Sequence, residues 1–408
     1  MAAPKLRFKE FDNQWDKIKI NDQAQTVTSG SRDWAQYYSE SGDKFIRMTN
    51  LVRDGIYLDL SDLKFVQLPK DSNEGKRTSL KFGDILISIT AELGKLGWIP
   101  EGLGTAYINQ HTALVRMKDS VDSKFIAYSL STEKYNNKLN SLNDSGAKAG
   151  LNLGTIRNFE LIVPPKEEQT KIASFLSAVD EKISQLTQKH QLLSQYKQGM
   201  MQKLFSQQLR FKADDGREFG EWEETTLGEI GTFKSGQGFP EQFQGGKDGI
   251  PFFKVSDMNI LGNEKIMKVA NNYVNSEAIT KMKAKVIDNE AIIFAKVGAA
   301  IFLERKRLAK NFLIDNNMMA YLSNQKTNIM FLKQFLDNIK LSKFVQVGAL
   351  PSYNSSDLAI IPISLPCLEE QTKIANFLSA IDQKLEVVAQ QIEQAKTWKK
   401  GLLQQMFV

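Results

Sequence analysis

Residues 166–180 read KEEQTKIASFLSAVD, and residues 368–382 read LEEQTKIANFLSAID. The offset of 202 residues holds without a gap from Pro164/Pro366 to Phe205/Phe407, and 19 of those 42 aligned positions are identical. An internal repeat of this quality settles the architecture before any single element does. Fainter matches extend it outward. LRFK stands at 6–9 and again at 209–212, each followed by a tryptophan, Trp15 and Trp222. Phe45-Ile46-Arg47-Met48-Thr49 resembles Phe252-Phe253-Lys254-Val255-Ser256, and LKFGDILIS (80–88) resembles VIDNEAIIF (286–294). Gly146-Ala147 and Asn152 match Gly348-Ala349 and Asn354. The unit is an LRFK opening, a variable stretch and a nearly constant EEQ segment, used twice.

The EEQ segments have a helical period. Stepping four then three residues from Ile172 gives Leu176, Val179, Ile183, Leu186, His190, Leu193, Lys197, Met200 and Leu204. The second copy gives Ile374, Leu378, Ile381, Leu385, Val388, Ile392, Ala395, Lys399, Leu402 and Met406. An apolar repeat every 3.5 residues, sustained over nearly five heptads, is a coiled-coil seam. Pro164-Pro165 and Pro366 precede the starts, and Glu167-Glu168 and Glu369-Glu370 occupy the first turns, where carboxylates meet the positive helix end. Each helix spans roughly 60 Å at about 1.5 Å per residue. Lys197 and Lys399 fall at repeat-related seam positions, where polar residues set register. His190 is read as a register or core residue.

Between the helices lie stretches with apolar strands at 80–89 and 291–295, many glycine turns, and amphipathic helices at 122–140 and 328–346. The expected organisation is domain one at 1–163, a helix at 164–207, domain two at 208–365 and a helix at 366–408. The fold class is α+β, with two mixed α/β domains joined by two long coiled-coil helices. Because the ends of a domain are often close, the helices are expected to pair antiparallel about a pseudo-two-fold repeat, so that one chain mimics a homodimer.

Composition is that of an ordinary globular protein, with 42% hydrophobic and 25% charged residues and a net charge of +6. No apolar run reaches the length of a membrane span, and no secretory signal stands at residues 1–15. One cysteine, Cys367, and two histidines, His111 and His190, exclude a disulfide framework and a His/Cys metal centre. There is no GxxxxGK[ST] phosphate loop and no Asn-Pro-Pro-aromatic run of an amino-methyltransferase. His111 is read as structural, Cys367 as inert, and the five tryptophans mostly as core or hinge anchors. No residue is assigned a catalytic or metal-binding role.

Two related but unlike domains on a helical spacer suit two unlike targets at a fixed separation, and DNA half-sites are such targets. Candidate DNA-binding residues are basic side chains near glycine turns, since Arg and Lys take guanine and Asn and Gln take adenine. They are Arg47, Arg53, Lys76, Arg77, Lys95 and Lys148 in domain one. In domain two they are Lys254, Lys296, Arg305, Lys306, Arg307 and Lys310, with 305–310 the densest basic cluster. Loops such as Ser145–Lys148 are read either as bringing backbone amides to phosphate or as structural turns.

The duplicated EEQTKIA-FLSA-D segments, the LRF…W openings and the paired variable domains resemble the specificity subunit of type I restriction-modification systems over essentially the whole chain. The resemblance implies target recognition domains joined by conserved spacer helices, in the cytoplasm of a bacterium or archaeon. It implies a non-catalytic subunit that binds double-stranded DNA and docks two modification subunits, which supply S-adenosylmethionine chemistry on adenine. The resemblance also implies restriction subunits that supply ATP- and Mg-dependent translocation and cleavage, and no cofactor in this chain. One departure is local: Trp15-Asp-Lys-Ile-Lys lacks the Leu227-Gly228 turn that follows Trp222. The duplication and heptads alone also allow a coiled-coil scaffold with twin protein-binding domains. A self-sufficient methyltransferase or nuclease is disfavoured by the missing motifs.

Overall fold

The computed structural model describes residues 4–69, 75–142, 150–346 and 350–407. The chain packs as two units, residues up to Gln188 together with those from Ala389 onward, and Lys189–Val388.

In the first unit the strands Ala24–Ser29, Thr112–Met117, Ile85–Ser88 and Leu96–Trp98 form one antiparallel sheet in that order. Successive strand residues point to opposite faces, and here both faces are buried. Ile85 and Ile87 enter the core that holds the helix Ser123–Ser131, whereas Leu86 enters a second core with Ile46, Ala106 and Ile108. That second core leads to a smaller sheet of Tyr38–Ser39, Lys64–Val66, Asp43–Ile46 and Ala106–Ile108, whose last two strands are parallel.

The second unit repeats the plan. Gly231–Ser235, Met318–Ser323, Ala291–Ala295 and Lys306–Ala309 form the antiparallel sheet. Ile292 and Phe294 face the core of the helix Ile329–Asn338, and Ala291 and Ile293 face the other core. Ile250–Phe253 and Leu313–Ile314 supply the parallel pair. The expected strand at 80–89 shortens to Ile85–Ser88, because Asp84 turns the chain by accepting from the Lys81 amide at 2.7 Å. The expected helix 122–140 breaks at Thr132 into Ser123–Ser131 and Glu133–Ser141, since Thr132 is extended and caps the second piece. The helix expected at 328–346 ends at Asn338, followed by a short turn at Leu341–Phe344.

In each unit the strand that leads into the domain pairs with the strand that leads out. Asp16–Lys19 runs antiparallel to Glu160–Val163, and Glu223–Thr226 to Pro362–Leu365. A helical turn follows each leading strand, Ile20–Gln23 in one and Leu227–Ile230 in the other. The Ile20 amide bonds the Phe159 carbonyl and the Leu227 amide bonds the Ile361 carbonyl, both at 3.0 Å. The turn that the first copy lacks in sequence is therefore present in its structure.

The strands that lead out deliver the chain into the long helices Lys166–Phe205 and Leu368–Met406. Within the first unit, Ile172, Leu176 and Val179 share a core with Leu402, Met406 and Phe407. Within the second, Ile374, Leu378 and Ile381 share one with Met201 and Leu204. Early residues of one helix meet late residues of the other in both units, which is antiparallel pairing. The remaining seam positions Ile183, Leu186, Leu193, Leu385, Val388 and Ile392 are buried or half-buried, and their neighbours along the helices are mostly exposed.

The seam lysines have partners. Lys399 Nζ lies 2.5 Å from Asp180 Oδ1, and Lys197 Nζ lies 2.6 Å from Asp382 Oδ1. The 202-residue repeat converts one pair into the other. Asp180 also accepts from the Tyr128 hydroxyl at 2.6 Å; burial first, and this carboxylate second, push that phenol above its ordinary range. Four tryptophans are buried as expected, but Trp398 is exposed, edge-on to Phe175.

Candidate nucleic-acid interface

The EEQ motif anchors each domain to its helix. Its second glutamate, Glu168 or Glu370, is fully buried. Glu168 takes both arms of Arg7 at 2.7 Å, and Glu370 takes Arg210 at 3.2 and 2.8 Å. Arg7 and Arg210 are the arginines of the two LRFK strings, so the opening of each repeat is clamped to its closing helix. A planar guanidinium gripping both carboxylate oxygens is the strong form of such a pair. Trp222 adds its indole N–H to Glu370 at 3.0 Å. The motif's glutamine ties the helix to the domain: Gln169 accepts from the Asp122 amide and Gln371 from the Asn328 amide, at 2.9 and 2.8 Å. Asp122 and Asn328 are themselves the caps of the helices Ser123–Ser131 and Ile329–Asn338. These roles escape a reading that sees only first-turn carboxylates, because the partners lie about 160 residues away.

The candidate basic residues do not form one surface. Arg47 and Lys254 occupy equivalent places, each at the end of its strand with its backbone N–H held by a following side chain, Asn50 or Asp257. Arg47 reaches Asp62 at 2.6 Å. Lys254 bonds Gln244 at 2.8 Å and lies over the Phe239 ring. Arg53 bonds the Leu93 carbonyl and Lys95 pairs with Glu92, so both gather around one short loop. Lys76 and Arg77 are exposed, and Arg77 binds Thr28 Oγ1 and the Ser29 carbonyl. Lys296 Nζ bonds Ser235 Oγ at 2.9 Å. Lys148 lies outside the described residues, as do Ser145, Gly146, Ala147, Gly348 and Ala349.

The cluster at 305–310 comes apart. Strand alternation over Lys306–Ala309 turns Lys306 inward, where it is 2% exposed, paired with Glu304 at 2.8 Å and bonded to the Ile339 carbonyl. Arg307 is half-buried, spends its Nε on the Asn263 carbonyl, and is pushed below its ordinary value by burial and then by Arg305. Arg305 is held by Asn259, and Lys310 is exposed. A run of basic letters does not reveal which of them a strand faces inward.

One region is built alike in both units. Where the strands Ala24–Ser29 and Gly231–Ser235 end, Gly30 and Gly236 cross the neighbouring chain closely. A Cβ on Gly30 would sit 2.1 Å from the Ile108 carbonyl oxygen, and one on Gly236 would sit 1.8 Å from that of Asp315. Beside them the His111 amide bonds Asn109 Oδ1 at 3.1 Å, and the Asn317 amide bonds Asp315 Oδ1 at 3.2 Å, the same Asx turn twice. Arg77 comes to the last residue of the first strand and Lys296 to the last residue of the second. Among the described residues no group of acidic, histidine and cysteine side chains is placed to hold a metal, and no helix is long and apolar enough to cross a membrane.

A duplicated pair of mixed domains, each clamped by an arginine to the start of a long helix, defines a class. The description of the type I restriction modification DNA specificity domain matches residues 13–195 and 220–397, and the chain belongs to that family, the specificity subunits of type I restriction-modification systems. It is 27% identical over 419 residues to the putative type I restriction enzyme MjaX specificity subunit of Methanocaldococcus jannaschii, spanning 98% of this chain and 94% of that one. The MjaIX specificity subunit of the same organism is 25% identical over 427 residues, covering 96% and 93%. The crystal structure of the type I S subunit from M. genitalium superposes with a TM-score of 0.61 at 16% identity, covering 100% of this chain and 99% of that one. A chain from a structural study of complex assembly and conformational transition in the type I R-M system gives 0.59 at 15% identity, covering 98% of each. These two likenesses concern the fold.

Proposed function

We propose that this chain is the non-catalytic, DNA-reading subunit of a type I restriction-modification complex. Each variable domain reads one half of an asymmetric bipartite target in double-stranded DNA. The long helices set the unread gap and dock two modification subunits, while the chemistry resides in the modification and restriction subunits. The observation that carries this is the coexistence of sameness and difference. The two domains share strand order, helix anchor and seam, yet the side chains at their matching loops differ. Twin scaffolds with unlike displays suit unlike half-sites.

Co-expression with the cognate modification subunit, followed by genome-wide mapping of methylated adenines, tests it. A motif of two short specified blocks separated by an unspecified gap is expected. Replacing one variable domain should change one block only. Inserting one heptad, about 10 Å of helix, should alter the gap or abolish methylation. An unchanged gap in an active complex would contradict the spacer role. A random-duplex selection that enriches no motif would favour the scaffold reading.

A further inference from the structure

Resting on the function proposed above, we propose that the matched sheet ends at Gly30 and Gly236 are the base-reading edges, with Arg77, Gln110 and His111 displayed at one and Lys296, Asn316 and Asn317 at the other. Three observations converge there. First, the backbone is the same in both units. The Gly30 amide bonds the Thr112 carbonyl and the Gly236 amide bonds the Met318 carbonyl. The Ile89 and Lys296 amides bond the carbonyls of His111 and Asn317. With the glycine crossings and the Asx turns, these bonds present residues 110–111 and 316–317 in equivalent positions.

Second, what this common frame displays is different. On the first edge His111 Nδ1 meets Thr90 Oγ1 at 2.9 Å and its Nε2 meets Gln110 Nε2 at 3.0 Å. On the second, Asn316 and Asn317 are exposed, with the Asn317 carboxamide steadied by Asp315 at 3.2 Å. Carboxamides suit adenine and cations suit guanine in the major groove. A shared backbone frame that carries unlike polar side chains can read unlike bases.

Third, a cation is supplied to each edge from non-equivalent places in the sequence. Arg77 arrives from the turn Lys76–Thr78 and Lys296 from the end of a central strand, whose counterpart in the first unit is the buried Ile89. The place is matched although the residue that fills it is not. Arg47 and Lys254, by contrast, are equivalent basic residues in equivalent caps. They cannot tell two unlike half-sites apart, and fit phosphate contact instead.

The test uses the complex with its modification subunit and reads the methylated motif. Changing Gln110→Ala with His111→Ala should lower base preference in one half-site by about 10- to 100-fold, leaving the other half-site and the gap intact. Asn316→Ala with Asn317→Ala should do the converse. His111→Asn, which installs the side chain of the equivalent Asn317, keeps the test decisive if the alanine variants fail to assemble. An active complex whose half-sites both keep their preferences in all variants overturns the inference while leaving the proposed function standing. So does one in which either pair alters both half-sites together. A wild-type complex that methylates no bipartite motif overturns both.

Discussion

Replacing Lys399 by methionine separates a working seam pair from an incidental one. The side chains of Lys399 and Asp180 are only 13% and 12% exposed, and their atoms are 2.5 Å apart. Methionine keeps the stem and its packing but strands the Asp180 carboxylate between two helices, with the Tyr128 hydroxyl as its remaining donor among the described residues. Removing one partner of a fully buried pair costs about 3–5 kcal/mol, and a surface pair is worth about 0–1 kcal/mol. At this intermediate burial the expected loss is about 2–3 kcal/mol. Lys197 and Asp382 are 20% and 29% exposed, so Lys197→Met should cost less, about 1–2 kcal/mol. The double variant Lys399→Met with Asp180→Asn should recover most of the loss, because no charge remains unpaired and the carboxamide oxygen still accepts from the Tyr128 hydroxyl. Urea unfolding followed by tryptophan fluorescence measures each corner of the cycle. Trp398, adjacent to the mutated lysine and edge-on to Phe175, reports helix pairing in the first unit. A coupling energy near zero would show that the pair does not hold the seam.

Arg7→Ala should destabilise the first unit by about 3 kcal/mol, because it leaves the fully buried Glu168 without its bidentate partner; Arg7→Ala combined with Glu168→Leu should be milder in the same denaturation assay. Gly236→Ala should be severely destabilising, by more than about 3 kcal/mol, whereas Gly238→Ala should be tolerated, since nothing lies within 4 Å of a Cβ there; melting temperatures of the two variants decide this. Asp315 has its carboxyl raised by burial, so the folded state holds its proton to higher pH than the unfolded chain does. Stability contributed by that site is therefore present below the ordinary value of 3.8 and lost as pH rises through the raised one. Asp315→Asn, which copies Asn109 of the first unit, should gain stability relative to the native chain between pH 4 and pH 7. A gain that is absent at neutral pH would refute the burial account.

The heptad seam was readable because a helix writes its packing into sequence at a fixed period. The lysines that break the apolar pattern are visible in the sequence at repeat-related seam positions, and each pairs with an aspartate. Their aspartate partners stayed silent, for Asp180 and Asp382 occupy ordinary polar places along their own helices and acquire meaning only from a chain segment about 200 residues away. The basic run at 305–310 was misleading in the opposite direction. Its charges looked available, but a strand sends alternate residues inward, and Lys306 became part of the interior. Matching sheet ends were equally hidden. Their equivalence rests on hydrogen-bond register, and the letters involved, His111 against Asn317 and Ser31 against Gln237, share nothing as a sequence pattern.

Sequence by itself determined the duplication, the two long helices, their seam and the family. All of these are either periodic along the chain or repeated within it, and so need no partner to be visible. Tertiary structure alone decided which charges pair, which basic residues are spent inside the domains, and where the two domains present a common frame with unlike side chains. Those properties belong to contacts between segments remote in sequence, and a contact has no signature until both of its sides are in place.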